Sequence, residues 1–206
     1  MEPNEDTESG TRHKIFAAAL DEFAEHGRAG ARVDRIAAAA GVNKAMIYYH
    51  FKSKDQLYLD TLTEFFTTVG RFALKLVGET STLDEALLAL ATVHAKIITA
   101  KPQVRTLFLR ELADLSPEII DTIINSFRQS GMVDVIKEKM HGALASGRIR
   151  QIDPRQLISA FISMSIGYYF LYPISDVLMQ VTDREEFIEN RKRIIVDIFL
   201  NGIKVK

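Results

Sequence analysis

Apolar residues recur at spacings of three and four along almost the whole chain. In the first segment this spacing is followed by Ile15, Phe16, Ala19, Leu20 and Phe23, and it places side chains on one face of an α-helix. No segment shows a sustained alternation of apolar and polar residues between turn signals, which is the pattern typical of β-strands. The pattern therefore predicts an all-α fold.

Capping and stop signals divide this pattern into nine helices. Gly27 and Gly41 end the first two, because glycine readily adopts the left-handed conformation at a helix C-terminus. Asn43 is a favourable N-cap for the third helix, and capping-box spacing occurs at Ser53–Gln56, Thr82–Glu85 and Thr182–Glu185. The predicted helices cover residues 11–26, 33–40, 43–49, 53–77, 82–99, 102–114, 116–147, 153–172 and 182–202, and Gly131 is the expected place for a bend in the seventh.

The composition is that of a globular chain and excludes several classes of protein. Of 206 residues, 47% are hydrophobic and 26% are charged, so one or two folded domains are expected. The chain has no cysteine, which excludes disulfide scaffolds, Cys-ligated metal sites and cysteine nucleophiles. The first ten residues contain four acids and no Lys or Arg, and we expect residues 1–10 to form a disordered acidic tail.

One segment is long enough to raise the question of a membrane. No residue from 156 to 175 is charged, and about 20 such residues can span a bilayer. The segment nevertheless contains Gln156, four serines and Pro173, and we interpret it as a helix buried between protein surfaces. The sequence thus predicts a cytoplasmic protein without a membrane partner.

The basic residues are concentrated where the short helices lie. The whole chain has 26 Lys and Arg against 27 Asp and Glu, but residues 11–60 have eight against six, a balance of 8 − 6 = +2. Two short helices joined by a glycine turn, in the segment RIAAAAGVNKAMIYYHF, have the organisation of a helix-turn-helix. Ile47 and Phe51 are expected to face the core, which leaves Lys44 and its neighbours exposed. This arrangement favours DNA binding through residues 43–49.

The segment from Thr11 to Leu57 resembles the DNA-binding domain of the TetR family of bacterial transcriptional regulators. The matching pieces are TRHKIFAAALDEFAEHG and RIAAAAGVNKAMIYYHFKSKDQL, and the connected pattern AGV-x-K-x-x-x-YYHF-x-SK is highly specific. The resemblance implies a helix-turn-helix DNA-binding domain in residues 11–52. It also implies a ligand-binding and dimerisation domain in residues 53–206, and a homodimer that binds a palindromic operator in double-stranded DNA.

The resemblance further implies which residues contact DNA. The start of the recognition helix reads base edges in this family, and a tyrosine and a lysine that follow it contact phosphates. The predicted contacts are Arg32, Lys44, Ala45, Met46, Tyr48, Tyr49, His50 and Lys54. The alternatives are that Tyr48 and Tyr49 are core aromatics and that Lys44 and Lys54 are merely solvated.

The chain departs from the family pattern at two places. Arg32 stands where members often have a threonine that caps the second helix, so this cap is expected to be missing. Ala45 and Met46 stand where members often have Gly-Thr. Because Met46 cannot donate a hydrogen bond, readout there would be apolar, as with a thymine methyl group, and the operator sequence cannot be inferred.

Two apolar stripes near the C-terminus favour a symmetric four-helix dimer interface like that of the family. One stripe has small residues at spacings of four, which lets another helix approach closely. The predicted interface residues are Leu157, Ser159, Phe161, Ser163, Met164, Gly167, Ile195 and Phe199. Ordinary packing within one chain is the alternative.

The C-terminal helices also contain aromatic and polar candidates for contact with a small, largely apolar effector. These candidates are Phe66, Phe72, His94, Arg105, Phe108, Phe127, Met132 and Tyr168, and each can instead be an ordinary core residue. Arg105 can bind a ligand carboxylate, or it can pair with Glu111 or Asp114.

The sequence gives no support for an enzyme, a metal site or a cofactor. Glu138-x-x-His141 has the spacing of half a di-iron bundle, but a second copy is missing, and no phosphate loop or nucleophile elbow occurs. We therefore expect a ligand-responsive, nucleoid-associated repressor. The alternative is a DNA-binding structural or protein-interaction module of the same fold that has no small-molecule effector.

Overall fold

The structure, a computed structural model, describes residues 5–100, 102–114 and 116–205, including all their side chains except those of 5–9, 102, 103 and 112–114. These residues form ten α-helices and one isolated antiparallel bridge, between Ile149 and Lys204. The helices are α1 (Glu5–Gly30), α2 (Val33–Ala40), α3 (Lys44–Phe51), α4 (Lys54–Gly78), α5 (Leu83–Ala100), α6 (Pro102–Asp114), α7 (Pro117–Gln129), α8 (Met132–Ala145), α9 (Pro154–Leu178) and α10 (Arg184–Ile203). The predicted all-α fold is confirmed.

Several helix boundaries differ from the prediction, and among them α1 ends at Gly30 rather than residue 26 and α9 ends at Leu178 rather than residue 172. The predicted seventh helix is two helices, because Gly131 has a φ of 76° and interrupts the helical hydrogen bonding between α7 and α8. Helix α1 begins at Glu5 rather than Thr11, so residues 5–10 of the predicted tail are helical, whereas residues 1–4 lie outside the described residues. Acidic residues near its start favour a helix N-terminus.

Most of the predicted capping interactions are present, and one is shifted by a residue. The Asn43 side chain accepts a hydrogen bond from the Met46 N–H at 2.8 Å. The Thr82–Glu85 box is reciprocal, since each side chain accepts from the other residue's backbone N–H. The N-cap of α10 is Asp183 rather than Thr182, because the Asp183 carboxylate is the acceptor for the Glu186 N–H.

The chain divides into two compact units. The first contains residues 1–67 and 101–126, and the second contains residues 68–100 and 127–206. In the first unit α1 packs against α2 and α6, and in the second α5 packs against α8, α9 and α10. The units are defined by contacts within the chain, whereas the predicted domains were defined by function, so the functional boundary at residue 52 stays a prediction.

The core of the second unit contains four residues that were predicted to contact a partner chain. Leu157 and Phe161 of α9 and Ile195 and Phe199 of α10 are at most 5% exposed, and the rings of Phe161 and Phe199 pack edge to face at 5.2 Å. These side chains are already covered by their own chain, so the structure favours the alternative of intramolecular packing for them.

Helix α9 is the one helix among the described residues that is long and apolar enough to cross a membrane. Core helices of soluble proteins have the same length and composition, and one face of α9 lies in the core of the second unit. Near its C-terminus the buried Asp176 accepts hydrogen bonds from Tyr168 and Arg184, both at 2.7 Å. These contacts match a helix packed within protein.

The second half of α4 approaches the α7–α8 elbow closely at Gly70. A Cβ atom at this position would lie 2.5 Å from Ser130 Cβ and would also overlap the Ser130 hydroxyl. Ser130 is buried, and its hydroxyl donates to the Phe127 carbonyl at 2.7 Å. The missing side chain at residue 70 therefore allows this approach.

A second buried contact in the same unit involves a histidine that was predicted to bind ligand. His94 Nδ1 of α5 and the Ser165 hydroxyl of α9 share a hydrogen bond, and Ser165 is 2% exposed. Burial lowers the pKa of His94 to about 4, so the imidazole is neutral at physiological pH. The structure thus gives His94 a partner within the chain.

We expect Gly70→Ala to reduce the free energy of unfolding by about 1–3 kcal/mol, because the added methyl group overpacks the contact with Ser130. Urea denaturation measures the change. Gly78→Ala is the matched control on the same helix, since no atom lies within 4 Å of its Cβ position. Equal stability of the two variants would contradict the close approach at Gly70.

We also expect His94 to make stability depend on pH. The unfolded chain takes up a proton near the ordinary pKa of 6.5, but the folded chain does so only near 4. The unfolded state therefore binds more protons between these values, and stability falls as pH decreases through this window, by at most about 3 kcal/mol. Urea denaturation across this range should show a smaller fall for His94→Gln, and an unchanged fall for the exposed control His141→Gln.

Candidate functional site

Helices α2 and α3 and the turn between them form the predicted helix-turn-helix. Gly41 ends α2 in the left-handed conformation, with φ 68° and ψ 32°. The inner face of α2 is buried through Ile36 and its alanine neighbours, and α3 is anchored through Ile47 and Phe51, each 1% exposed. Both anchors face the core as predicted, so the opposite side of α3 is left for solvent or a partner.

The outward side of α3 has the residues that were predicted to contact DNA. Lys44, Ala45 and Met46 are exposed in its first turn. Tyr48 is 42% exposed and Tyr49 is 73% exposed, so the alternative that these tyrosines are core aromatics is wrong. His50 is half-buried, and its ring packs between those of Tyr49 and Phe51.

Lys44 forms an ion pair across the two helices of the motif. Its Nζ lies 2.9 Å from the Asp34 carboxylate, and the hydrogen bond that Lys44 donates to this group raises the pKa of Lys44. Both side chains are exposed, and exposed ion pairs contribute little to stability because water and salt screen them. The Lys44 ammonium can therefore leave Asp34 and bind another anion with little loss of stability.

Lys54 has a structural contact in addition to its predicted role. Its ammonium donates to the carbonyl oxygens of Ala29 and Ala31, at 3.1 and 3.3 Å. These bonds connect the first turn of α4 to the C-terminal end of α1 and the residue that follows it. An ammonium has three donors, so a phosphate contact does not require these bonds to break.

Arg32 occupies the N-cap position of α2, and its side chain makes no cap hydrogen bond there. The expected absence of a side-chain cap is thus observed, but Glu22 of α1 takes over this role. The Glu22 carboxylate accepts from the Arg32 backbone N–H and from Arg35 Nε, both at 2.8 Å. Burial alone would raise the pKa of Glu22, but these bonds lower it below its ordinary value.

A narrow apolar cavity lies in the first unit, between α4, α6 and α7. Its volume is about 30 Å³, so a ligand larger than a few water molecules requires the lining side chains to move apart. Helix α4 contributes Leu62, Phe65 and Phe66, and α7 contributes Ile119, Ile120 and Ile123. Helix α6 contributes Val104, Leu107, Phe108 and Glu111, which lie on one face because their spacing is three, one and three.

Only two of the eight predicted ligand contacts, Phe66 and Phe108, line this cavity, and their rings meet edge to face at 5.9 Å. The other six are not among its lining residues: Phe72, His94, Arg105, Phe127, Met132 and Tyr168. Glu111 also lines the cavity, although in the sequence it was named only as a possible partner for Arg105. The helical spacing around Phe108 was the signal that could have assigned Glu111 to the cavity.

Beside this cavity, one arginine connects three helices of the first unit. Arg28 of α1 bonds to Asp55 of α4 at 2.9 Å and to Glu118 of α7 at 3.4 Å. Its guanidinium also lies over the ring of Tyr58, 5.4 Å from the centroid. The hydrogen bond that Arg28 donates to Asp55 is the main cause that raises the pKa of Arg28, so the guanidinium stays charged.

The second unit exposes a continuous apolar stripe along α9. The stripe begins at the predicted small residues Ser159, Ser163 and Gly167, which are exposed or half-exposed. It continues at helical spacing through Leu171, Ile174 and Leu178, which are 58%, 62% and 68% exposed. Helix α10 exposes Ile194 and Ile198 in the same way, while Met164 is half-buried. Neighbouring exposed apolar residues of this kind are typical of interaction sites.

Comparison with known proteins identifies the helix-turn-helix. Residues 15–61 match the family described as bacterial regulatory proteins, tetR family. The HTH-type transcriptional regulator RutR of Escherichia coli is 27% identical over 194 residues, which cover 92% of this chain and 90% of RutR. The HTH-type transcriptional repressor SCO4008 of Streptomyces coelicolor is 52% identical over 52 residues, which cover 25% of this chain and 27% of SCO4008.

Among solved structures, the transcriptional regulator FadR from Bacillus subtilis, crystallised in complex with stearoyl-CoA, has the same fold. Its TM-score is 0.76 at 20% sequence identity, and the alignment covers 93% of this chain and 98% of FadR. The family match, the whole-length relative and the shared fold agree with the helix-turn-helix geometry. Residues 15–61 are therefore a helix-turn-helix domain of the TetR family of bacterial transcriptional regulators, and the whole chain shares the fold of FadR.

Proposed function

We propose that the protein is a homodimeric, ligand-responsive repressor that binds a palindromic operator through α3. The observation that carries this proposal is the outward face of α3, where Lys44, Met46 and the two tyrosines are exposed while Ile47 and Phe51 hold the helix from behind. An α-helix held in this way fits the major groove of B-DNA. Proteins of this class act in the cytoplasm, where their operators are.

The chemistry of the exposed face supports a mixed readout of DNA. Lys44 and Lys54 supply positive charge for phosphates, and Arg32 is exposed at the start of α2. Tyr48 and Tyr49 can donate hydroxyl hydrogen bonds to phosphate or base oxygens. Met46 and Ala45 offer apolar contact, which suits the methyl group of thymine.

The exposed stripe on α9, with Ile194 and Ile198 on α10, supports dimerisation. Two chains that pair these helices about a twofold axis would bury the stripe in a four-helix arrangement. Such pairing also supplies the two recognition helices that a palindrome requires, about one turn of DNA apart. A membrane is a weaker match for this stripe, because Asp176 of the same helix forms an ion pair with Arg184 of α10.

The cavity of the first unit supports response to an apolar effector. Phe66 and Phe108 line it, and the FadR structure has an apolar acyl chain as part of its ligand. An effector can release DNA only if it binds one arrangement of the helices more tightly than the other. Arg28 joins the cavity helices α4 and α7 to α1. A ligand that changes the arrangement of α4 and α7 can therefore change the position of α1 and of the helix-turn-helix.

Selection of genomic DNA fragments by the purified full chain tests the proposal. Enrichment of a short palindrome would support an operator-specific regulator. Fragments without a shared palindrome would overturn it.

On the selected operator, we expect Lys44→Ala to weaken binding about tenfold and to reduce the salt slope by about one for each half-site, because one phosphate contact is lost. Fluorescence anisotropy at several salt concentrations measures both quantities. Lys75→Ala, an exposed lysine of α4 in the second unit, is the matched control and should bind like the unchanged protein. Unaltered binding by Lys44→Ala would remove Lys44 from the proposed interface.

For the dimer, we expect Ile198→Glu and Leu171→Glu to raise the dissociation constant at least about 30-fold, because each change buries a charge in an apolar interface. Sedimentation equilibrium measures the constant. Ile124→Glu replaces a similarly exposed isoleucine of the first unit, and it should leave the dimer intact. A dimer that tolerates both changes would rule out the α9–α10 stripe.

A further inference from the structure

The cavity of the first unit has one ionisable group in an otherwise apolar lining. Nine of its ten lining residues are aliphatic or aromatic, and the tenth is Glu111. Glu111 is half-buried, and none of the ion pairs between described side chains includes it. Glu111 is therefore the one charged group that a molecule in this cavity would meet among the lining residues.

A second polar group lies beside Glu111. The Tyr58 side chain is fully buried, and its hydroxyl lacks a hydrogen-bond partner of good geometry. Its burial, together with the neighbouring Glu111 carboxylate, raises the pKa of Tyr58 well above its ordinary value. The phenol therefore stays neutral and does not supply the positive charge that Glu111 lacks.

Among the described side chains at this end of the cavity, the charges leave a net negative balance. The acidic groups are Glu111, Asp55 and Glu118, and the basic groups are Arg28 and Arg110, which gives 2 − 3 = −1. Arg28 is bonded to Asp55 and Glu118. Glu111 makes none of the ion pairs between described side chains, so a cation in the cavity could pair with its carboxylate, whereas an anion would meet a like charge.

The rest of the lining also suits a cation attached to an apolar body. Phe65, Phe66 and Phe108 form a chain of edge-to-face contacts, with centroids 5.2 and 5.9 Å apart. The faces of aromatic rings attract ammonium groups, and the aliphatic side chains of α6 and α7 accept hydrocarbon.

We propose that the effector is a lipophilic amine, bound as its ammonium form, whose nitrogen donates to the Glu111 carboxylate while its apolar body lies among the three phenylalanines. This inference rests on the proposed effector role of the cavity and specifies its chemical class. It excludes fatty acids and other lipophilic carboxylates as preferred ligands, because their charge would meet that of Glu111.

Three probes with one carbon skeleton test the charge preference: phenylbutylamine, phenylbutanol and phenylbutanoate. Isothermal titration calorimetry with the full chain at neutral pH gives each dissociation constant. We expect the amine to bind at least about tenfold more tightly than the alcohol, and the carboxylate to bind more weakly than both. In Glu111→Gln the amine and alcohol should bind with similar constants, and the constant for the alcohol should change less than about twofold.

Glu118→Gln is the matched control. It removes one negative charge from the same cluster, but Glu118 does not line the cavity. It should preserve the preference for the amine. Binding of the alcohol by Glu111→Gln shows that the cavity is still folded in that variant.

The outcomes separate this inference from the proposed function. Equal binding of amine and alcohol by the unchanged protein, or an amine preference that persists in Glu111→Gln, would overturn the role of Glu111 and leave the cavity as a site for neutral effectors. No binding of any probe would overturn both the amine and the cavity as effector site. Operator binding by the same preparation is measured separately and would still support the DNA-binding part of the proposal.

Discussion

The placement of α3 depends on the burial of Ile47 and Phe51 against the first helix. An eight-residue helix has too little internal stability to persist alone in water, so its packing determines both its existence and its orientation. The ring of Phe51 meets that of Phe16 edge to face at 5.2 Å, and the Arg12 guanidinium lies over both rings. With one face fixed in this way, Lys44, Met46 and Tyr48 have to be on the other.

Helix α2 is fixed to the same support by a different interaction. Its N-cap residue has no capping side chain, but the carboxylate of Glu22 in α1 accepts the Arg32 N–H and holds Arg35 as well. Both helices of the motif are thus positioned by α1, one through apolar packing and the other through a nearly buried carboxylate. Any tilt of α1 would be transmitted to the whole helix-turn-helix.

The sequence predicted the helix-turn-helix well because its determinants are local. Gly41, Asn43 and the anchors Ile47 and Phe51 lie within eleven residues of one another, and each acts through a known preference for a turn, a cap or a buried face. The Glu22 contact could not be found in this way, because it depends on how α1 crosses α2. The division of the predicted seventh helix into α7 and α8 was missed for a similar reason. It depends on the conformation of Gly131, and the sequence does not distinguish a glycine that bends a helix from one that breaks it.

The cavity and the apolar stripe were harder to predict because they depend on neighbours that are distant in sequence. Helix α9 is apolar on more than one face, so spacing alone cannot tell that Leu157 and Phe161 are covered by their own chain while Leu171 and Ile174 are exposed. The cavity combines helices whose lining residues span positions 62 to 123. Periodicity identifies the apolar face of each helix, but it does not reveal which faces meet.

The apolar cavity and the support of the helix-turn-helix use the same helices of the first unit. Glu118 precedes Ile119 of the cavity wall, and Asp55 lies in the first turn of α4, whose later residues line the opposite wall. One guanidinium, that of Arg28 at the end of α1, joins these two carboxylates. In the proposed mechanism, a ligand that changes the spacing of α4 and α7 would change the spacing of Asp55 and Glu118. Arg28 could then no longer bond to both carboxylates. Helix α1, which positions α2 and α3, would move with the carboxylate to which Arg28 stays bonded.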